Sequence, residues 1–249
     1  MIEMIRVILW DIDNTILSFD AAEKAALNKE FEEFELGEFN DEMLQRYVSI
    51  NRKYWQALER GEITKPEVLV GRFEEFFKLY NLPVEKASAF NERYQDLLGD
   101  TICFHDDAYN IVKDFKGKVL QCAASNGTKV AQVKKLKNSG LDQLFELIFI
   151  SEDVGAEKPS IDFFDKVLTD ASTWLRENEA TCLESNGVYR GELKPSEVII
   201  VGDSLTSDIL GGNNAGIKTC WYNPKKLVND MNVKVDYEIQ DLHEVMRLI

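Results

Sequence analysis

Ile5-Arg6-Val7-Ile8-Leu9-Trp10-Asp11-Ile12-Asp13-Asn14-Thr15 is the stretch on which the fold turns. A short apolar run without polar alternation reads as a strand covered on both faces, the habit of parallel sheets. It breaks directly into two aspartates two residues apart. At the C-terminal end of a strand such carboxylates converge on one point, and open α/β sheets bind ligands at that edge. Taken alone, the pentapeptide from Asp11 to Thr15 fits a solvated, Asp-rich turn equally well.

Working outward, residues 119–124, 147–150, 198–201 and 219–222 repeat the same short, Ile- and Val-rich pattern, and 237–239 adds a marginal sixth run. Helix-period stretches such as 129–139 and 161–168 lie between them. Strand alternating with helix predicts a doubly wound, Rossmann-like parallel sheet. Residues 18–100 break the rhythm. They carry helix patterns over 21–34, 41–60, 65–80 and 84–98, with breaks at Gly37, Gly61 and Asn81-Leu82-Pro83, and no strand. The chain therefore divides into an α/β core, 1–17 and 101–249, and an inserted all-helical subdomain, 18–100.

Three further motifs follow later strands. Ala124-Ser125-Asn126-Gly127-Thr128 offers a hydroxyl and backbone N–H groups ahead of a helix, an anion seat. Glu157-Lys158-Pro159-Ser160 holds a cation just before a helix, with Pro159 suited to the first turn. Val201-Gly202-Asp203 runs on to Asp208; Gly202 lets backbone pass close to a neighbour. Each alone fits an ordinary turn or a helix cap. Together they would gather at one sheet edge.

The 249 residues are 45% hydrophobic, ample for a core, and carry a formal net charge of -15. That field repels polyanions, which argues against a nucleic-acid polymer or an anionic membrane as partner. No apolar run reaches the ~18 residues of a membrane span. Four scattered cysteines, Cys103, Cys122, Cys182 and Cys220, read as reduced thiols of a cytoplasmic protein. With only His105 and His243 available, the chemistry falls to carboxylates. Oxygen donors drawn from Asp11, Asp13, Asp203 and Asp208 suit an octahedral Mg²⁺. With Asp13 counted as protonated, Mg²⁺ and Lys158 neutralise the other three.

In combination and order, the four motifs resemble the haloacid dehalogenase superfamily, and within it phosphatases with a helical cap after the first motif. The segment 51–76, with Trp55, Gly61-Glu62-Ile63-Thr64 and Gly71-Arg72-Phe73, is similar to that of bacterial pyrimidine 5′-nucleotidases, as are 150–155 and 207–216. The resemblance implies that Asp11 attacks phosphorus and forms an aspartyl-phosphate, while Asp13 acts as acid and then base. It implies Mg²⁺ on the Asp11 and Asp203 carboxylates and the Asp13 carbonyl, with Asp208 behind them. Ser125, the Asn126 N–H and Lys158 would hold phosphate, and Thr15 would brace the loop. The implied substrate is a small phosphorylated metabolite, a nucleoside monophosphate such as UMP, dUMP or dTMP, on a monomer or homodimer. Other readings on the same fold are a phosphoglycolate or sugar-phosphate phosphatase, a phosphomutase and a dehalogenase. Asn51, Trp55, Arg72 and Phe73 are the cap's candidate substrate contacts, since rings stack on bases and a guanidinium donates to a carbonyl edge; Trp55 and Phe73 fit a bundle core as well. Residues 170–194, with Trp174, Cys182 and Tyr189, are an insertion relative to the family pattern.

Overall fold

The computed structural model describes residues 4–178 and 192–249. Strand β1 (Val7–Trp10) lies inside a six-stranded sheet with β2 (Leu120–Ser125), β3 (Leu147–Ile150), β4 (Val198–Gly202), β5 (Lys218–Tyr222) and β6 (Tyr237–Ile239). The order is β3-β2-β1-β4-β5-β6, and every pairing is parallel. The direction of winding reverses at β1, so the crevice beyond its C-terminal end is the switch point where such sheets hold ligands. Apolar clusters cover both faces. One gathers Ile8, Trp10, Ile199 and Val201 against Ile111, Val112 and Phe115. The other gathers Val7, Leu9, Val198 and Ile200 against Phe163, Phe164 and Val167.

Between β1 and β2 run α1 (Phe19–Glu33), α2 (Asp41–Glu59), α3 (Lys65–Leu79), α4 (Ala87–Leu97) and α5 (Ala108–Phe115). Ser18 and Asn40 accept from the first-turn N–H groups of α1 and α2, and Thr64 forms a capping box with Glu67 on α3. The first four helices bury their own aromatic core, in which Phe31, Tyr47, Phe73, Phe76, Phe77, Phe90 and Tyr94 meet edge-on or stacked. The insert is clasped to the sheet layer by Lys65, which donates to Ser151 Oγ at 2.6 Å and lies 3.8 Å from both Glu152 and Glu157. Thr128 donates to Gln95 at 2.7 Å, and Lys134 to Asp96 at 2.8 Å.

After β2 come α6 (Lys129–Ser139), α7 (Ser151–Val154), α8 (Ile161–Glu177) and α9 (Leu210–Asn214). Two features depart from expectation. Helix α8 continues well past 168, so the start of the 170–194 insertion is helix, with Trp174 packed against the sheet; Cys182 and Tyr189 lie outside the described residues. Helix α5, unmarked by periodicity over only two turns, turns Ala108, Ile111, Val112 and Phe115 toward the sheet. Cys122 and Cys220 are buried and Cys103 exposed, all as free thiols. No helix among the described residues is long and apolar enough to cross a membrane.

Candidate active site

Asp11 is the first residue past β1, and its N–H donates to Val201 O at 2.9 Å, so the ladder holds its position. Its carboxylate is almost wholly buried. Lys158 Nζ donates to Asp11 Oδ1 at 2.8 Å, Asp208 Oδ1 at 2.7 Å and Ala124 O at 2.7 Å, which uses all three of its hydrogens. Asn126 fixes that lysine: its amide accepts from Lys158 N–H and donates to Lys158 O, each at 2.8 Å. Pro159 is not in the first helical turn. It follows a cis peptide bond, and Ser160 behind it is the N-cap of α8.

Thr15 is completely buried. Its hydroxyl donates to Asp11 Oδ2 at 2.8 Å and accepts from the Asp203 N–H at 3.0 Å, so one side chain ties the ends of β1 and β4 together. A Cβ on Gly202 would stand 2.3 Å from Asp208 Oδ2, so only glycine leaves that carboxylate its place. Asp208 Oδ2 also accepts from Ser204 N–H at 3.1 Å.

Oxygens of Asp11, Asp203 and Asp208 lie within 4.8 Å of one another. Burial and the neighbouring Asp208 push the Asp11 carboxyl up to about 7 against the pull of Lys158, and burial with Asp11 and Asp208 raises Asp203 well above the carboxylate range. Burial alone would lower the Lys158 ammonium, yet Asp11 and Asp208 outweigh it and raise its pKa. Clustered oxygens, each making its neighbour harder to ionise, are what a hard divalent cation relieves, and the donor set fits Mg²⁺.

Asp13 stands apart from that cluster. Lys135 of α6 is ion-paired to Asp13 Oδ1, and Gln132 Nε2 donates to Oδ2 at 2.7 Å. Lys135, almost wholly buried, is a cation of the site that the charge count from the strand-end motifs does not include. Ser125 is buried at the end of β2, where its Oγ accepts from Gly127 N–H at 3.1 Å and keeps its own hydrogen to donate.

These groups open on a cavity of roughly 200 Å³, roofed by Trp55, Glu59, Arg72, Gln95 and Leu98 from the insert. Arg72 does line it, with its guanidinium held in place: Nη1 donates to Asn51 Oδ1 at 2.7 Å, Nη2 to Asn91 Oδ1 at 3.2 Å, Nε is buried without a hydrogen-bond partner, and the rings of Phe73 and Tyr94 lie 4.9 and 5.1 Å away. Two expected contacts need correction. Asn51 does not line the cavity; it sits behind Arg72, with its amide donating to Glu23 at 2.9 Å. Phe73 is bundle core, completely buried and stacked on Tyr47.

The sequence profile of the haloacid dehalogenase-like hydrolases matches residues 8–222. The chain belongs to that family. As a haloacid dehalogenase-like hydrolase it is 33% identical to YfnB of Bacillus subtilis, over 98% of this chain and 95% of that one. It is 32% identical to the pyrimidine 5′-nucleotidase PynA of Streptococcus pneumoniae, over 97% and 93% of the two chains. It is 28% identical to the pyrimidine 5′-nucleotidase YjjG of Escherichia coli, over 97% and 96%. The crystal structure of the Bacillus subtilis YfnB bound to magnesium superposes with a TM-score of 0.84, at 31% identity over 98% of each chain.

The residues of this hydrolase that sequence reasoning passed over are Lys135, Gln132, Glu59 and Gln95. A signal exists for the first two only in hindsight. On α6 the apolar Val130 and Val133 face solvent while Gln132 and Lys135 are buried, the reverse of ordinary amphipathy.

Proposed function

We propose that this hydrolase is a Mg²⁺-dependent phosphomonoesterase working through an aspartyl-phosphate on Asp11, with pyrimidine nucleoside monophosphates as substrates. The observation that carries the reading is the buried Asp11 carboxylate fixed between Lys158 and Thr15 on the floor of a cavity. A carboxylate so held keeps one orientation for in-line attack at little entropic cost.

Asp11, Asp203 and the Asp13 carbonyl would hold Mg²⁺, which when bound screens the substrate's phosphate charge. Asp208 positions Lys158 rather than the substrate. Ser125 Oγ–H and the Asn126 N–H donate to phosphate oxygens, and Lys158 stabilises charge as it develops. Asp13, oriented by Lys135 and Gln132 of α6 and carrying a proton when substrate binds, gives that proton to the leaving oxygen and then takes one from water. Residues 18–100 act as the cap that roofs the leaving group. The nucleotide part of the reading rests on the kinship to two pyrimidine 5′-nucleotidases and on Trp55, a half-buried indole in the roof able to stack on a base.

The test is phosphate release from UMP, dUMP, dTMP, AMP, phosphoglycolate and a hexose phosphate, with Mg²⁺ and with chelator. Pyrimidine substrates leading in kcat/KM, and silence under chelation, is the expected pattern. A tenfold lead for phosphoglycolate or the hexose phosphate would remove the nucleotidase reading and leave the phosphatase chemistry standing.

A further inference from the structure

Among the described residues the roof of the cavity carries one carboxylate, Glu59, the last residue of α2. Its Oε2 is buried and has no hydrogen-bond partner. The cation next to it in the chain offers no relief, because Arg60 turns away to form two 2.7 Å hydrogen bonds with Glu62. Of the other cations around the cavity, Lys158 is paired with Asp11 and Asp208 and Lys135 with Asp13, whereas Arg72 is held by the neutral amides of Asn51 and Asn91 and its buried Nε has no hydrogen-bond partner. Among the described residues the roof thus presents an acceptor oxygen in want of a donor, with Arg72, held by neutral amides, as its only cation.

We propose that Glu59 is a specificity-determining residue of this site: it accepts a hydrogen bond from an N–H or O–H of an uncharged leaving group and turns away leaving groups that carry a second negative charge. The substrate class is then phosphomonoesters of neutral, hydrogen-bonding alcohols. A nucleoside is such an alcohol, whereas phosphoglycolate and bisphosphates are not. A buried oxygen without a partner costs free energy until a donor arrives, and a donor supplied by the substrate also favours the ionised carboxylate. An anion in the same place meets that charge or, since burial already holds the Glu59 carboxyl up at about 7, forces it to take a proton and lose the acceptor oxygen, and this exclusion of the wrong partner supplies the specificity. The inference rests on the phosphomonoesterase reading but not on the nucleotide one.

The experiment measures kcat/KM for 2-phosphoglycolate and 2-hydroxyethyl phosphate, matched leaving groups that differ by a carboxylate in place of a hydroxymethyl. Wild type should favour hydroxyethyl phosphate. Glu59→Gln should narrow that preference at least tenfold, about 1.4 kcal/mol. Glu59→Lys, a substitution that suits a helix C-terminus, should narrow it further or reverse it. A preference within twofold of wild type in both variants would overturn the proposal. Neither probe is a nucleotide, so failure here is separate from failure of the nucleotidase reading, which the wild-type panel decides.

Discussion

Lys135 and Asp13 form a nearly buried ion pair that joins the middle of α6 to the turn after β1. Lys135→Met should leave the fold intact and lower kcat about 10- to 100-fold, within the range expected when a proton-transfer group loses its orientation. Gln132→Ala, which removes only the second hydrogen bond, should cost less. Steady-state kinetics beside Mg²⁺ titration checks this: a large loss of metal affinity with unchanged kcat would count against it.

Asp11→Asn is nearly isosteric, yet it removes the proposed nucleophile and one metal charge. Turnover of an aryl phosphate should fall to background while the circular dichroism spectrum is retained. Near wild-type turnover would exclude Asp11 as nucleophile.

Lys158→Met should abolish turnover and also destabilise the protein by about 3–5 kcal/mol, since Asp11 and Asp208 are left buried without their cation. Added Mg²⁺ should recover part of the loss, because ligand binding to the native state alone is stabilising. Thermal unfolding with and without Mg²⁺ reads both effects.

Glu30 lies completely buried on α1 with neither carboxyl oxygen hydrogen-bonded. Burial, with Glu33 adding to it, pushes its carboxyl up to about 9 from an ordinary 4.5. The native chain then keeps a proton that the unfolded chain releases, so stability falls as pH rises between those values. Glu30→Met removes that slope. Its stability gain over wild type should be small near pH 5 and grow steadily toward pH 9. A gain that does not grow with pH would show that Glu30 does not hold its proton.

Much of the architecture was legible because strands buried on both faces leave unbroken apolar runs. All six runs marked in the sequence are strands, displaced by two residues at most. Asp11, Ser125, Lys158 and Asp203 were legible because each follows a strand end or precedes a helix, so chain order alone brings them to one edge. The insert's contribution was not. Whether Asn51, Arg72 or Glu59 reaches the cavity depends on which face each helix turns to the sheet, and a guanidinium held by two asparagines has the same local sequence as one that is free. Asp13 illustrates the same limit: its partners come from α6, and no local pattern joins positions 13 and 135.

The register of β1 has a consequence for synthesis. Val7 pairs with Leu120 on one side and Val198 on the other, so the sheet's inner strand is made first and waits longest for its neighbours. As the chain leaves the ribosome, β1 has no ladder to join until the whole helical insert has emerged, while the insert can assemble its aromatic core at once. The nascent chain should therefore acquire helix before sheet, with one apolar strand exposed to chaperones in the interval. Contacts that span so much chain slow folding, and joining the two ends of the sequence while opening a surface loop between β1 and β2 would change the order in which the halves of this protein form.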